Sequence, residues 1–188
     1  LRARLARDGF GGAQRVRALG CVAAAAQRAL GRNPYDTQLL CAEALLDDHL
    51  AEMATGEGKT LAAALAAAVA ALAGVPVHVM TANDYLAARD AAQLGLLYGV
   101  LGLRTGVVLG STAPEARRAA YACDLTYATA REIAFDHLRD RVHLQAQGSE
   151  LQRCAARLAG DAPPPLLLRG LCMAIVDEAD SLMIDEAT

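Results

Sequence analysis

Lys59 is the only lysine among 188 residues, against seventeen arginines, and it stands between Gly58 and Thr60 in the stretch AEMATGEGKT, Ala51 to Thr60. That arrangement suits phosphate binding. Glycines in such a loop let backbone N–H groups close around phosphate oxygens, and a helix starting there offers its positive end to the same anion. A lysine at this point is a compact charge that reaches terminal phosphates, and the hydroxyl after it can hold Mg2+. Arginine's wide planar fork does not fit the same narrow loop, which accounts for the exception. The match to GxxxxGK[ST] is imperfect, because Met53 stands five residues before Gly58, where the pattern has glycine.

A second element supports the first. AIVDEAD, Ala174 to Asp180, is an apolar strand that ends in Asp177 and Glu178, 118 positions after Lys59. At such a strand end an aspartate can hold Mg2+ and the neighbouring glutamate can polarise an attacking water. A third element is Gln38 in NPYDTQLL, just after Tyr35: a carboxamide both donates and accepts, as an adenine edge requires.

The elements that must hold these residues alternate along the chain. Gln14 to Leu30 and Thr37 to Leu46 read as helices, and Leu50 to Met53 as a short strand leading into the glycine loop. A helix follows from Lys59 to about Ala73, then a β-branched strand at Val75 to Thr81. Asn83 is placed to cap a helix that runs to about Val100. Thr105 to Leu109 reads as a strand, and Pro114 to Tyr121 as a helix with Thr112 or Ala113 at its cap. Leu125 to Ala128 is strand-like, Thr129 to Arg141 helical, and Met173 to Val176 the last strand. Between them, about 142–169 reads as a surface excursion, with a polar helix over Gln145 to Leu158 and a breaker at Pro163 to Pro165. Strands alternating with helices imply an α/β domain with a mainly parallel sheet covered on both faces.

Composition argues against several classes. A net charge of −3 and 4% aromatic residues without Trp give neither a basic footprint nor stacking platforms, so no nucleic acid is expected as a partner. The cysteines, Cys21, Cys41, Cys123, Cys154 and Cys172, are dispersed without a CxxC pair and read as small buried residues in a reducing compartment. No signal peptide opens the chain, and the missing initiator Met suggests a start inside a longer protein. Leu61 to Val77 lacks charge, but its alanines, Gly74 and Pro76 suit a buried helix and strand better than a membrane span.

Four stretches together resemble the SecA family, the ATPase motors of bacterial preprotein export: AEMATGEGKTLAAAL, VHVMTANDYLAARDA, RRAAYACDLTYATAREIAFDHLRD and AIVDEADSLMIDEA. The similarity covers roughly Gln14 to Ala187, apart from about Val142 to Arg169, and Met53 in place of the first loop glycine is itself SecA-like. The resemblance implies one three-layer, RecA-like P-loop domain over 1–188, with N-terminal helices in about 1–46 and without the second motor domain or the preprotein-binding domain. It implies ATP and Mg2+ as cofactors. Thr55, Gly56, Glu57, Gly58, Lys59 and Thr60 would wrap the phosphates, Gln38 would recognise adenine with Tyr35 close to the base, and Arg89 would be a further nucleotide-side contact. Thr60 and Asp177 would serve Mg2+, and Glu178 would be the catalytic base, with Lys59 assisting. The implied partners are ATP and ADP, a preprotein and a SecY-type membrane channel, at the cytoplasmic side of the inner membrane. The family usually reads TYGTNNEFGFDYLRD where this chain has Ala128, Ala130, Arg131, Ala134 and His137, and this departure bears on how nucleotide state is coupled to a motor. The 188 residues alone are expected to bind nucleotide and hydrolyse it negligibly. The other readings are a DEAD-box helicase domain, since Asp177 to Asp180 spells that motif, and a non-catalytic nucleotide-binding module.

Overall fold

The computed structural model of the chain describes residues 3, 5, 7, 12–146, 149–160 and 166–182. Among them four strands form one sheet: β1 (Val77–Thr81), β2 (Thr105–Val107), β3 (Leu125–Thr129) and β4 (Met173–Val176). Their order is β2-β3-β1-β4 and every pairing is parallel. Parallel neighbours cannot be joined by a hairpin, so each connection carries a helix. Before β1 come α1 (Gly12–Leu30), α2 (Asp36–Leu46) and α3 (Lys59–Leu72). The crossovers are α4 (Asp84–Val100), α5 (Pro114–Tyr121), and α6 (Ala130–Ala146) with α7 (Glu150–Leu158).

Strand period two separates the two faces of the sheet. Val77, Val79, Leu125, Tyr127 and Ile175 share one core with α1 to α4, whereas Met80 and Ala128 join a second with Tyr121 and Ile133. Adjacent residues of β3 make the division concrete. The Tyr127 hydroxyl meets that of Tyr98 on α4 at 2.7 Å, and the Thr126 hydroxyl donates to the Ala120 carbonyl of α5 at 3.0 Å. Helices therefore cover both faces, the three-layer RecA-like arrangement expected from the sequence.

The alanine-rich α3 is buried almost all round from Leu61 to Leu72, which fits a helix with no polar face. Alanine side chains leave room for α1, α2 and α4 to press close to it. The uncharged run Leu61 to Val77 is thus this helix and the start of β1, and no helix among the described residues is long and apolar enough to cross a membrane. Asn83 caps α4 as expected, its Oδ1 accepting from the Leu86 amide at 2.9 Å.

Three expectations are corrected. Residues 50–53 form no strand. The edges of the described sheet are β2 and β4, and this segment pairs with neither; only Met53 turns inward. The helix read over 145–158 is divided: α6 runs on to Ala146, and α7 starts anew at Glu150. Ser149 and Gln152 explain the restart, since the Ser149 amide donates to Gln152 Oε1 at 2.8 Å and the Gln152 amide to Ser149 Oγ at 3.3 Å, a reciprocal capping box. Four of the cysteines are not core residues either, and the side chain of Cys154 lies outside what the structure describes. Cys21 and Cys172 are exposed, and Cys41 and Cys123 only half-buried, because alanine fills the small interior positions. The expected breaker at 163–165 lies outside the described residues.

The return of the chain to β4 is pinned by charge. Asp140, near the end of α6, accepts from the amides of Leu167 and Leu168 at 2.8 and 2.9 Å. The Arg169 guanidinium donates to the carbonyls of Tyr121 and Cys123. These contacts set the position of β4, and with it that of the acidic residues that follow.

Candidate functional site

All four strands point the same way, so whatever follows β1, β3 and β4 emerges at one edge of the sheet, where ligands of open α/β folds bind. Asp177 continues the ladder by one bond, its amide donating to the Met80 carbonyl at 2.9 Å. Its Oδ1 then accepts from the Glu178 amide at 3.0 Å. Glu178 is exposed and holds φ +56°, a left-handed conformation uncommon for a non-glycine residue. That turn directs the chain away from the sheet immediately after Asp177.

The glycine loop is a braced turn. The Glu57 amide donates to the Ala54 carbonyl at 3.3 Å, and Glu57 Oε2 accepts from the Ala54 amide at 3.2 Å. Gly56 and Gly58 hold φ of +89° and +81°. Gly58 is the N-cap of α3, its carbonyl accepting from Leu61 and Ala62. First-turn amides of a helix have no partner within it, so Lys59 and Thr60 begin a positive helix end beside an exposed ammonium.

Gln38 is the strut behind this loop. Only 4% exposed, it donates through Nε2 to the Glu57 carbonyl at 2.7 Å and accepts through Oε1 from the Tyr35 amide at 3.0 Å. A Cβ on Gly58 would lie 2.4 Å from the Gln38 Nε2, so glycine is required there by contact as well as by φ. One carboxamide N–H and one lone pair remain beyond these two bonds. Tyr35 is 72% exposed at the start of α2 and joins the group through its backbone.

The charge of Lys59 is one of several that act on Asp177. Burial pushes the Asp177 carboxyl above the ordinary carboxylate range, and the charge of Asp90 adds to this. The Glu178 amide, Lys59 and Arg89 pull the other way. The charges of Lys59 at the start of α3 and of Arg89 on α4 thus both favour the ionised form of the carboxylate after β4. Thr60 is half-buried beside Lys59, while Thr55, Gly56 and Glu57 are exposed. Arg89 grips its own neighbour, with Nε and Nη2 each 2.7 Å from Asp90 Oδ1.

Two groups escaped the sequence reading. One is Asp90 itself, 2% exposed. The other is a buried network on the far face of the sheet. Arg117 of α5 pairs with Glu132 at 2.7 Å and Asp136 at 2.8 Å, and donates to the carbonyls of Thr112 and Leu109. Tyr121 adds a hydroxyl bond to Asp136 at 2.9 Å. The signal was present: Glu132, Asp136 and Asp140 recur every four residues, which places three carboxylates on one face of α6. This face holds α5 and the segment before β4, and so supports the sheet edge without reaching it.

The fold defines a RecA-like α/β domain with a glycine loop at the start of α3 and an acidic strand end after β4. Comparison with known proteins gives the family. The SecA DEAD-like domain model matches residues 1–188, and the chain belongs to the SecA family. It is 48% identical over 182 residues to protein translocase subunit SecA 2 of Bordetella avium (strain 197N), covering 96% of this chain and 28% of that protein. The SecA 2 subunit of Thermobifida fusca (strain YX) is 51% identical over 163 residues, 87% of this chain and 19% of that protein. Protein translocase subunit SecA of Rhodopseudomonas palustris (strain BisB18) is 45% identical over 172 residues, with 92% and 16% covered. The chain thus spans less than a third of the length of these relatives.

Proposed function

We propose that this domain is the first nucleotide-binding half of a SecA-type ATPase that uses ATP to move preproteins across the cytoplasmic membrane through a SecY-type channel. The observation that carries the reading is a glycine loop that opens α3 at Gly58, Lys59 and Thr60 in a parallel-sheet domain whose strand β4 ends in Asp177, a carboxyl on which the charge of Lys59 acts. A cation and an anion placed across a glycine loop have the signs that a polyphosphate and its divalent counter-ion need.

The loop amides from Gly56 to Thr60 cradle the phosphates, and Lys59 reaches the terminal ones. Gln38 uses its remaining N–H and lone pair on adenine while it holds the loop, and exposed Tyr35 lies against the base. The Thr60 hydroxyl and the Asp177 carboxylate are hard oxygen donors, a set suited to Mg2+ and not to a soft metal. When bound, the ion neutralises charge on the phosphates. Asp177 then remains ionised, since a cation beside it offsets the burial that raises its proton affinity. Glu178, exposed just beyond, orients the attacking water and takes its proton. Arg89 adds positive charge on the phosphate side. The second motor domain of such a protein supplies the arginines that complete the site, so these 188 residues alone bind nucleotide and turn it over negligibly.

The test is ATP hydrolysis by the full-length polypeptide. Turnover should rise when a preprotein and translocon-bearing membranes are added, and Glu178→Gln should abolish it. Stimulation by RNA in place of preprotein would transfer the domain to the nucleic-acid motors.

A further inference from the structure

Glu57 is the one acidic residue of the glycine loop, set between Gly56 and Gly58. A carboxylate is an awkward neighbour for polyphosphate, since like charges repel. In this loop the carboxylate is nonetheless turned onto the protein. Oε2 of Glu57 accepts from the Ala54 amide at 3.2 Å, while the Glu57 amide donates to the Ala54 carbonyl at 3.3 Å. The reach is that of a capping box, in which a glutamate side chain bends back to the amide three residues before it.

Ala54 to Glu57 thereby close a four-residue turn, and the ends of such a turn lie within about 7 Å. Gly56, at φ +89°, lets the chain double back inside it. The charge of Glu57 is therefore held beside the amides of Gly56 to Thr60, although the residue is exposed and water is open to it. Backbone and side chain of Glu57 are secured unequally. Its carbonyl is gripped at 2.7 Å by Gln38, which is 4% exposed, whereas the carboxylate contact lies on the exposed side and can be released by rotation of one side chain.

We infer that the Glu57 carboxylate is a competitor built into the glycine loop: it holds the Ala54 amide and must let go when phosphates enter, which lowers the affinity of the loop for any polyphosphate. This rests on the nucleotide reading above and deepens it, by naming a loop residue whose side chain works against binding. The Glu57 backbone stays where Gln38 keeps it while the side chain swings into water. Carboxylate and phosphate alone contend for the loop, so the adenine end of the ligand has no part in the effect.

The experiment is calorimetric titration of the full-length polypeptide with inorganic pyrophosphate and with ATP, each in Mg2+. Glu57→Gln keeps the shape but leaves a neutral and weaker acceptor, and is expected to tighten both ligands alike by about twofold to fivefold. Glu57→Asp keeps the charge but falls one methylene short of the Ala54 amide, and should tighten both by about twofold. Glu52→Gln, which removes an exposed charge two residues ahead of Ala54, should change either affinity by less than about twofold. Weaker binding by Glu57→Gln would show that the carboxylate braces the loop and does not contend for it, which overturns the inference. Tightening by Gln but not by Asp would reduce the effect to net charge, and tightening of ATP alone would move it to the base; either result overturns it too. Urea unfolding of each variant checks that the fold is kept, as expected for exposed positions. A wild-type protein that binds neither ligand brings down the nucleotide reading and this inference with it. Wild-type binding that both Glu57 variants leave unaltered brings down this inference alone.

Discussion

Gly58→Ala is the sharpest probe of how the loop is built. Two costs add at this position. Gly58 holds φ +81°, and an L residue in left-handed backbone costs about 1–2 kcal/mol. The new methyl would also stand 2.4 Å from the Gln38 Nε2. A flexible side-chain end would normally step aside cheaply, but Gln38 is 4% exposed and its two ends bond to Glu57 and Tyr35. Displacing it breaks both bonds, at about 0.5–1.5 kcal/mol each. The sum is about 2–5 kcal/mol. Gly56→Ala is the control: φ is +89°, but nothing lies within 4 Å of the added methyl, so only the strain of about 1–2 kcal/mol applies. Urea unfolding of the two variants, with and without Gln38→Ala, measures the difference. In the Gln38→Ala background the penalty at Gly58 should fall to that at Gly56. Equal destabilisation by the two glycine variants to within about 0.5 kcal/mol, or no effect of removing Gln38, would refute the strut.

Other substitutions and titrations probe the scaffold. Gly106→Ala places a methyl 2.4 Å from the Ala120 carbonyl oxygen and 2.6 Å from its Cα, backbone atoms that cannot rotate away, so α5 must lift from β2. Urea unfolding should show a loss of about 3 kcal/mol or more. Asp136→Ala leaves Arg117 and the Tyr121 hydroxyl buried without their shared partner and should cost about 3–5 kcal/mol, whereas Arg139→Ala, on the exposed side of the same carboxylate, should cost no more than about 1 kcal/mol. Burial pushes the hydroxyls of Tyr98, Tyr121 and Tyr127 upward, aided at Tyr121 by its bond to Asp136. An acid whose folded value is raised stabilises the fold below its unfolded value, so stability should decline as pH climbs past about 10. Absorbance titration near 295 nm should show the native chain short of the unfolded one by three tyrosines.

Much of the fold could be read from the sequence because each signal was local. Met173 to Val176 is the strand β4 as read, Pro114 opens α5, and Asn83 caps α4. The stretch 50–53 leads into the glycine loop as read but pairs with no strand, and pairing is a property of the sheet that no short segment records. The break between α6 and α7 was legible in Ser149 and Gln152 but was outweighed by the polar run around them. At the site, Lys59, Asp177 and Glu178 carried a spacing that chemistry recognises. Asp90 and Arg117 did not, because a buried charge is told from a surface charge only by what packs over it, and that comes from elements distant in sequence.

The most direct test of the site is equilibrium binding of ATP with and without Mg2+. Wild-type protein should bind ATP more tightly with the ion than in EDTA. Lys59→Ala should weaken the complex about tenfold to a hundredfold, the range of one lost charge-assisted contact, and Asp177→Asn should erase the dependence on Mg2+. Undiminished Mg2+-dependent binding by both variants would show that the loop and the strand end hold no nucleotide between them.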